Sequence, residues 1–357
     1  MLTRYSNWII FPEKGKDDFQ YFAGDIILEA SSEKKNCFGY LKYPEKWNDK
    51  CEPVFFYIEE SGTISKKHFE EKKTESKIGD FVFPDKNIYL ENITKIKNHI
   101  QLGDIYEMNY CIAITANVDS LNPFDIFLRI HKNAEAPHAC LAKFGDDYII
   151  CTSPERFLKR EANKIITQPI KGTAKRGKSR EEDELLKNNL SNSIKEKSEH
   201  VMAVDVARND LSRIAQKNSV EVKKLYGIHT FKQVHQMIST VSCNLKPDVV
   251  FEEIIDATFP MASMTGAPKI RATQLINEFE NFKRGFYSGS IGVIKENGDF
   301  DFNVVIRSII YNEATKRIMI GVGGAITNLS EPEEEWEECI LKANILVSVL
   351  QKKASED

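Results

Sequence analysis

The chain has 357 residues, 41% hydrophobic and 29% charged, a balance that fills one large or two ordinary globular domains without disulfide or metal staples. A formal charge of −4 excludes the basic field that nucleic-acid binding calls for. Seven cysteines, an odd number with no CxxC spacing, disfavour a disulfide framework or zinc ribbon, and no apolar run reaches the roughly 20 residues of a membrane span, so the expectation is a soluble cytoplasmic protein.

Residues 1–84 read as a short β-rich portion, with strands around Trp8–Phe11 and Pro53–Ile58. The charged stretch 64–78 is expected to be a solvated linker or loop. Residues 85–352 form the second, larger unit. It opens on Tyr89, Ile93, Ile96 and Ile100, whose steps of four, three and four mark an amphipathic helix that Gly103 would cap. Strand-like runs follow at Tyr148–Ser153, Lys164–Ile170, Ser288–Lys295, Phe302–Tyr311 and Arg317–Val322. Between and after them lie helical candidates at 181–207, 249–257, 267–280 and 331–352. The irregular alternation lacks a βαβ cadence and favours an α+β fold, with sheets packed together and helices outside. In the last helix Trp336, Cys339, Ala343, Leu346 and Leu350 form an apolar stripe, while Glu335, Glu338 and Lys342 project together beside it.

Four features could carry chemistry. In Gln168-Pro169-Ile170-Lys171-Gly172-Thr173 a lysine stands between a rigid proline and a permissive glycine; partial desolvation would lower its pKa and make it an amine nucleophile. In Ser153-Pro154-Glu155-Arg156-Phe157, a strand hairpin would bring Glu155 near Lys171, where an apolar cleft would raise its pKa and fit it to donate a proton. The plain alternative is a surface pair between Glu155 and Arg156. Glu199, on the helix leading into Asp205–Asp210, joins Glu335 and Glu338 as hard oxygen donors without histidine or cysteine, which suits magnesium rather than zinc. Finally, the glycine-bearing turns around Thr265-Gly266, Ser288-Gly289 and Gly323-Gly324-Ala325 offer backbone N–H groups to a carboxylate, and none fits a nucleotide-binding pattern.

Taken in order, these segments resemble the chorismate-utilising enzymes, which include anthranilate synthase large subunits and aminodeoxychorismate, isochorismate and salicylate synthases. The likeness rests on Gly103–Asn109, Ser153–Phe157, Pro169–Thr173, Glu199 through Arg208-Asn209-Asp210, Phe259-Pro260 to Thr265–Ala272, Gly289–Gly292, Ile306–Ser308 and Gly323–Ala325 with Glu335 and Glu338, over about residues 85–350. It implies the anthranilate synthase component I fold, an α+β antiparallel β-sandwich core surrounded by helices, with the active site in a cleft between the sheets. It also implies magnesium on Glu199 and Glu338 with Glu335 close behind. The pyruvyl carboxylate would be held by Arg307, Tyr287 and the backbone of Gly324 and Ala325, with Ser263 and Lys342 contacting substrate.

Within the family, anthranilate, isochorismate and salicylate synthases usually carry alanine at position 171. Lysine there resembles the aminodeoxychorismate synthases and implies amination of chorismate at C4 through a covalent lysine adduct, with Glu155 as the acid. No glutaminase signature is present, so ammonia is expected from a separate glutamine amidotransferase subunit. Anthranilate synthase component I is the competing expectation, and a chorismate-binding protein without turnover the remaining one. The chain departs from the family at Gln236, where histidine is frequent, at Ala325, where a third glycine is common, and at Glu107, where glutamine is frequent.

Overall fold

In the computed structural model, which describes residues 2–13, 15–28, 35–67 and 76–351, the strands assemble into two antiparallel sheets. The first runs, in spatial order, β16 (Gly266–Ala267), β8 (Glu107–Ser120), β20 (Arg317–Ile326), β19 (Ser308–Asn312), β10 (Asp147–Ser153), β9 (His138–Phe144), β1 (Asn7–Pro12), β2 (Asp18–Ala23) and β6 (Glu60–Ser65), with β7 (Lys77–Ile78) also on β8. The second runs β13 (Ile170–Lys175), β15 (Val234–Asn244), β12 (Lys164–Gln168), β11 (Arg156–Glu161), β18 (Phe300–Asn303), β17 (Ser290–Ile294), β4 (Cys37–Leu41), β5 (Val54–Tyr57) and β3 (Ile27–Leu28), with β14 (Glu221–Thr230) on the other flank of β15. The strands of 1–84 thus extend both sheets.

Sheet one is buried on both faces, and the period-two alternation of its side chains sorts them between two cores. Trp8, Ile10, Leu141 and Ile150 point into one core; Ile9, Cys140, Ala142, Ile149 and Cys151 point into the other, against Phe38, Leu158 and Phe302 of sheet two. The outer core is closed by α1 (Lys86–Gln101), α2 (Pro123–Ala134) and α7 (Pro332–Gln351), together with Ala272, Leu275 and Ile276 of the helix over 269–279. Helix α1 starts where Asp85 accepts from Asn87 N at 2.7 Å and ends at Leu102, with Gly103 beyond it in the left-handed region. Cys339, Ala343, Leu346 and Leu350 of α7 are buried as their spacing implied, and Glu335 is buried with them.

The remaining helices are α3 (Arg180–Asn192), α4 (Ile194–Ile214), α5 (Phe251–Thr258) and α6 (Lys269–Phe279). Where one helix was expected over 181–207 there are two, because Ser193 leaves the helical region and its hydroxyl caps α4 at Glu196 N. Helix α2 had no counterpart in the sequence reading, although Asn122-Pro123 is a regular start signal. Of the expected linker, 64–65 end β6 and 77–78 form β7, while 68–75 lie outside the described residues.

The expected single strand over 302–311 is two strands in different sheets. The chain leaves β18, crosses at Val304–Arg307 and enters β19. In chain order this is the second crossing; the first, in the opposite direction, joins β10 to β11 through Pro154-Glu155. The two crossings run side by side: Val304 N donates to Glu155 O at 3.0 Å, and Thr152 N donates to Arg307 O at 3.1 Å. Beyond Met319, β20 keeps β8 as partner but loses β19, so sheet one splits open along Gly321–Ala325. Among the described residues, no helix is long and apolar enough to cross a membrane.

Candidate active site

Lys171 owes its position to a β-bulge. Along β13, Ile170 pairs with Ile238 and Thr173 with Gln236, so three steps on one strand face two on the other. The extra residue falls at Lys171-Gly172, with Gly172 at φ +79°, a conformation that glycine adopts freely. The lysine side chain is thereby turned inward and is only 10% exposed. Ser239 fixes the opposing strand: its N–H donates to Pro169 O, and its hydroxyl accepts from Tyr226 N at 3.1 Å and meets the buried His200 Nε2 at 2.6 Å. Burial lowers the His200 pKa to about 4, so the ring stays neutral.

The expected fall in the lysine pKa is not what the site produces. Burial does push it down, but Glu107, Glu199, Glu155 and Glu196 together outweigh burial and raise it above the ordinary lysine value. Glu107 is the nearest of them, with Oε1 at 3.9 Å from Nζ. Lys171 therefore rests as an ammonium and must lose a proton before it can attack anything.

Glu155 stands at the first crossing, and the β11–β12 hairpin, with Arg156 opposite Gln168, carries it toward Lys171. Arg156 does not pair with it. That guanidinium forks onto Asp301 at 2.7 and 3.0 Å and donates to Gln168 at 2.6 Å on the other side of the strand. Glu155 is left 4% exposed, and burial raises its pKa to about 7 against the opposing pull of Ser263, Lys171, the Ile170 N–H and Arg307. The Ser263 hydroxyl lies at the margin of that carboxyl without closing a hydrogen bond of ordinary geometry. The arrangement is that of a carboxylic acid kept protonated near neutrality, beside a lysine.

Arg307 sits at the second crossing with φ +49°, a strained conformation for a long side chain. It reaches solvent, yet enough protein surrounds it that desolvation lowers its pKa. This is the situation of a cation lining a cleft. Beside it the split in sheet one leaves the β19 side of Gly323, Gly324 and Ala325 without a strand partner. Lys342 Nζ donates to Gly323 O at 2.9 Å and lies 2.6 Å from Glu338.

Three of the residues expected to bind substrate also make contacts within the protein. The Thr265 hydroxyl is fully buried and donates to Met261 O and Ala262 O. Gly289 donates to Phe286 O and accepts from Val305 N, and a Cβ there would meet Leu41 O at 2.3 Å. Tyr287 is 3% exposed; its ring lies over Gly321 and its hydroxyl is 3.7 Å from Cys111 Sγ. These residues shape the walls, and their polar groups are already satisfied or buried.

Carboxylates from α4 and α7 gather on the far side of Lys171. A Cβ on Gly324 would stand 3.1 Å from Glu335 Oε2, so glycine gives that carboxylate its room against β20, while Glu338 Oε1 at 4.0 Å is at ordinary contact distance. Burial raises the Glu199 pKa to about 7, and Oε1 of that group is buried without a partner. Burial also pushes Glu338 up, but Lys342, Lys195 and Lys171 bring it below the ordinary carboxylate value. Lys195 lies 3.7 Å from Glu335 and feels Glu199, Glu338 and Glu196 as well.

A hard divalent cation suits this all-oxygen set with its orphaned Glu199 oxygen. Among the described residues no three His, Cys, Asp or Glu side chains converge closely enough for an all-protein cage. Magnesium characteristically takes one or two carboxylates and completes its shell with water and substrate. The sequence reading missed Glu196 and Lys195, whose signal was their helical spacing from Glu199, and treated Glu107 only as a departure.

A buried lysine, a buried acid with a raised pKa, a cleft arginine and the carboxylates of two helices together form a candidate active site. Residues 12–348 match the model of the chorismate binding enzyme family, and the chain belongs to that family. It is 39% identical over 278 residues to the chloroplastic aminodeoxychorismate synthase of Arabidopsis thaliana, covering 76% of this chain and 30% of that one. It is 34% identical over 284 residues to anthranilate synthase component 1 of Acetivibrio thermocellus, covering 80% of this chain and 56% of that one. The chain therefore spans less than two thirds of these relatives. The fold matches the menaquinone-specific isochorismate synthase of Escherichia coli at a TM-score of 0.80 and 17% identity, over 98% of this chain and 90% of that one.

Proposed function

We propose that this chain aminates chorismate at C4 to give 4-amino-4-deoxychorismate for 4-aminobenzoate and folate synthesis. The observation that carries the proposal is Lys171, placed by its bulge at hydrophobic depth beside Glu155. Arg307 and the backbone around Gly324 and Ala325, on the stretch of β20 that β19 no longer covers, hold the pyruvyl carboxylate. The Lys171 amine adds at C2 while Glu155 gives its proton to the departing C4 hydroxyl, and ammonia then adds at C4 and expels the lysine. Splitting one displacement into two is ordinary covalent catalysis. Magnesium held by Glu199 and Glu338, with Glu335 behind, would clamp the ring carboxylate and absorb the charge that accumulates there.

Ammonia comes from a separate glutamine amidotransferase subunit. Burial drives the thiols of Cys37, Cys243 and Cys339 to about 11 and those of Cys51 and Cys111 to about 12. Such thiols are poor candidates for the thiolate that a glutaminase needs.

The likeness to anthranilate synthase component 1 leaves C2 amination with pyruvate loss as the competitor, and it is Lys171 in place of alanine that weighs against it. Incubating the chain with chorismate, ammonium and magnesium, with mass detection of products, separates the two. A 4-amino product that retains the enolpyruvyl group supports the proposal; anthranilate formed without an added lyase overturns it.

The acid role has a sign that can be checked through stability. Glu155 titrates near 7 when folded and near 4.5 ordinarily, so its neutral form stabilises the fold at low pH, and that contribution is lost as pH rises through about 7. Glu155→Gln is expected to match the wild-type Tm at pH 5 and to exceed it at pH 8, by an amount on the order of 3 kcal/mol at most. Equal Tm differences at both pH values, measured by calorimetry, would mean that the carboxyl is already ionised at pH 5.

A further inference from the structure

We infer that Glu107 is the base that takes the proton from Lys171 before the amine attacks, an assignment that rests on the amination proposal above. Glu107 opens β8 and is clamped by the pairing of that position with Ala267 of β16, the short strand of the Thr265–Pro268 turn. It is 1% exposed. One carboxylate oxygen lies 3.9 Å from the lysine nitrogen, and the other is buried with no hydrogen-bond partner, leaving it free to accept. Among the described residues Glu107 is the one carboxylate within ion-pair distance of Lys171. A separation of 3.9 Å is long for proton transfer, but such contacts tighten when a cleft closes on its substrate.

The other charged groups facing Lys171 have different work. Glu155 approaches from the first crossing and is needed as an acid. Glu199 and Glu196 approach from α4, the former with the acidic helix pair, and His200 beside them is neutral. Arg307 lies across the cleft next to Glu155. The resting pair is ionic, since the carboxylates hold Lys171 charged. Burial already pushes the Glu107 pKa upward, and expelling water from the cleft penalises two separated charges more than a neutral amine and acid. Substrate entry thus drives the proton from nitrogen to oxygen. Glutamine at this position could accept no proton.

The protons balance around the cycle. The Lys171 ammonium gives one proton to the Glu107 carboxylate, leaving an amine and a neutral acid. The nitrogen lone pair forms the N–C2 bond, the ring diene shifts, and the C4–O bond breaks, the hydroxyl leaving as water with the Glu155 proton. Ammonia then forms the C4–N bond while the N–C2 pair returns to Lys171. The new C4 ammonium gives a proton to Glu155, and Glu107 returns its own to Lys171.

The test compares wild type, Glu107→Gln and Glu107→Asp, using chorismate, ammonium and magnesium, across pH 6 to about 10. That upper limit approaches the ordinary lysine pKa. The Gln variant is expected to lose about 10²-fold in kcat near neutrality, the usual scale of a general base, with KM for chorismate unchanged. Its deficit should shrink steadily as pH rises, because solvent then discharges the lysine. The Asp variant should recover part of the loss. A Gln variant with wild-type kcat at every pH overturns the assignment, and so does a deficit of equal size at every pH, which would mark a packing role. Wild type that makes no 4-amino product overturns the amination proposal itself, a result distinct from either.

Discussion

Lys171→Ala is expected to lose C4 amination on the order of 10³-fold or more while changing chorismate affinity by no more than about threefold, in line with removal of a covalent nucleophile. The asymmetry follows from what the lysine touches. It is held on a bulge, among carboxylates, and contributes little to the anion-binding side of the cleft, where Arg307 and the open edge of β20 lie. Removing it also removes the counter-charge of Glu107, Glu155, Glu199 and Glu196, whose pKa values should all rise. Steady-state turnover measured with chorismate binding by fluorescence or calorimetry decides the matter. Undiminished formation of aminodeoxychorismate would end the nucleophile assignment.

Glu338→Gln is expected to raise the magnesium concentration for half-maximal effect by at least about 10- to 100-fold, the range seen when even the supporting groups of a metal site are removed. The readout is twofold: turnover against magnesium, and the magnesium-dependent rise in Tm, which requires no catalysis. The substitution also frees Lys342 from its 2.6 Å partner, so Lys342→Met serves as the control that breaks the same ion pair and keeps the carboxylate. An unchanged metal titration in the Gln variant would take Glu338 off the list of ligands.

Much of this site could be read from the amino-acid order, and what escaped has physical reasons. The hairpin that joins Glu155 to Lys171 is local, since Pro154 and Pro169 punctuate strands separated by a short turn, and the expectation that they meet is met in the fold. The helix of Glu335 and Glu338 was legible because apolar residues recur at helical spacing from Trp336 to Leu350, about four turns. The crossing at Val304–Arg307 was not, because an apolar run of β-branched residues looks the same whether a strand continues or changes sheets; only the left-handed backbone at Arg307 marks the break. The direction of the Lys171 shift was misjudged for a different reason. Burial is visible in a motif, but the four carboxylates that overrule it come from β8, the first crossing and α4, which only tertiary structure assembles. The polar groups of Thr265, Gly289 and Tyr287 bond within the protein or lie in the core, contacts that tertiary structure sets and their motifs do not display.

The inserted residue at 171–172 resets the alternation of its strand. Side chains up to Ile170 and from Thr173 onward keep their own phases, so the position between them belongs to neither face of the lattice. A side chain there can be exchanged without moving the hydrophobic pattern on either flank. The fold thus carries its reactive group in a socket uncoupled from its own packing rules, a place where chemistry can vary while architecture stays fixed.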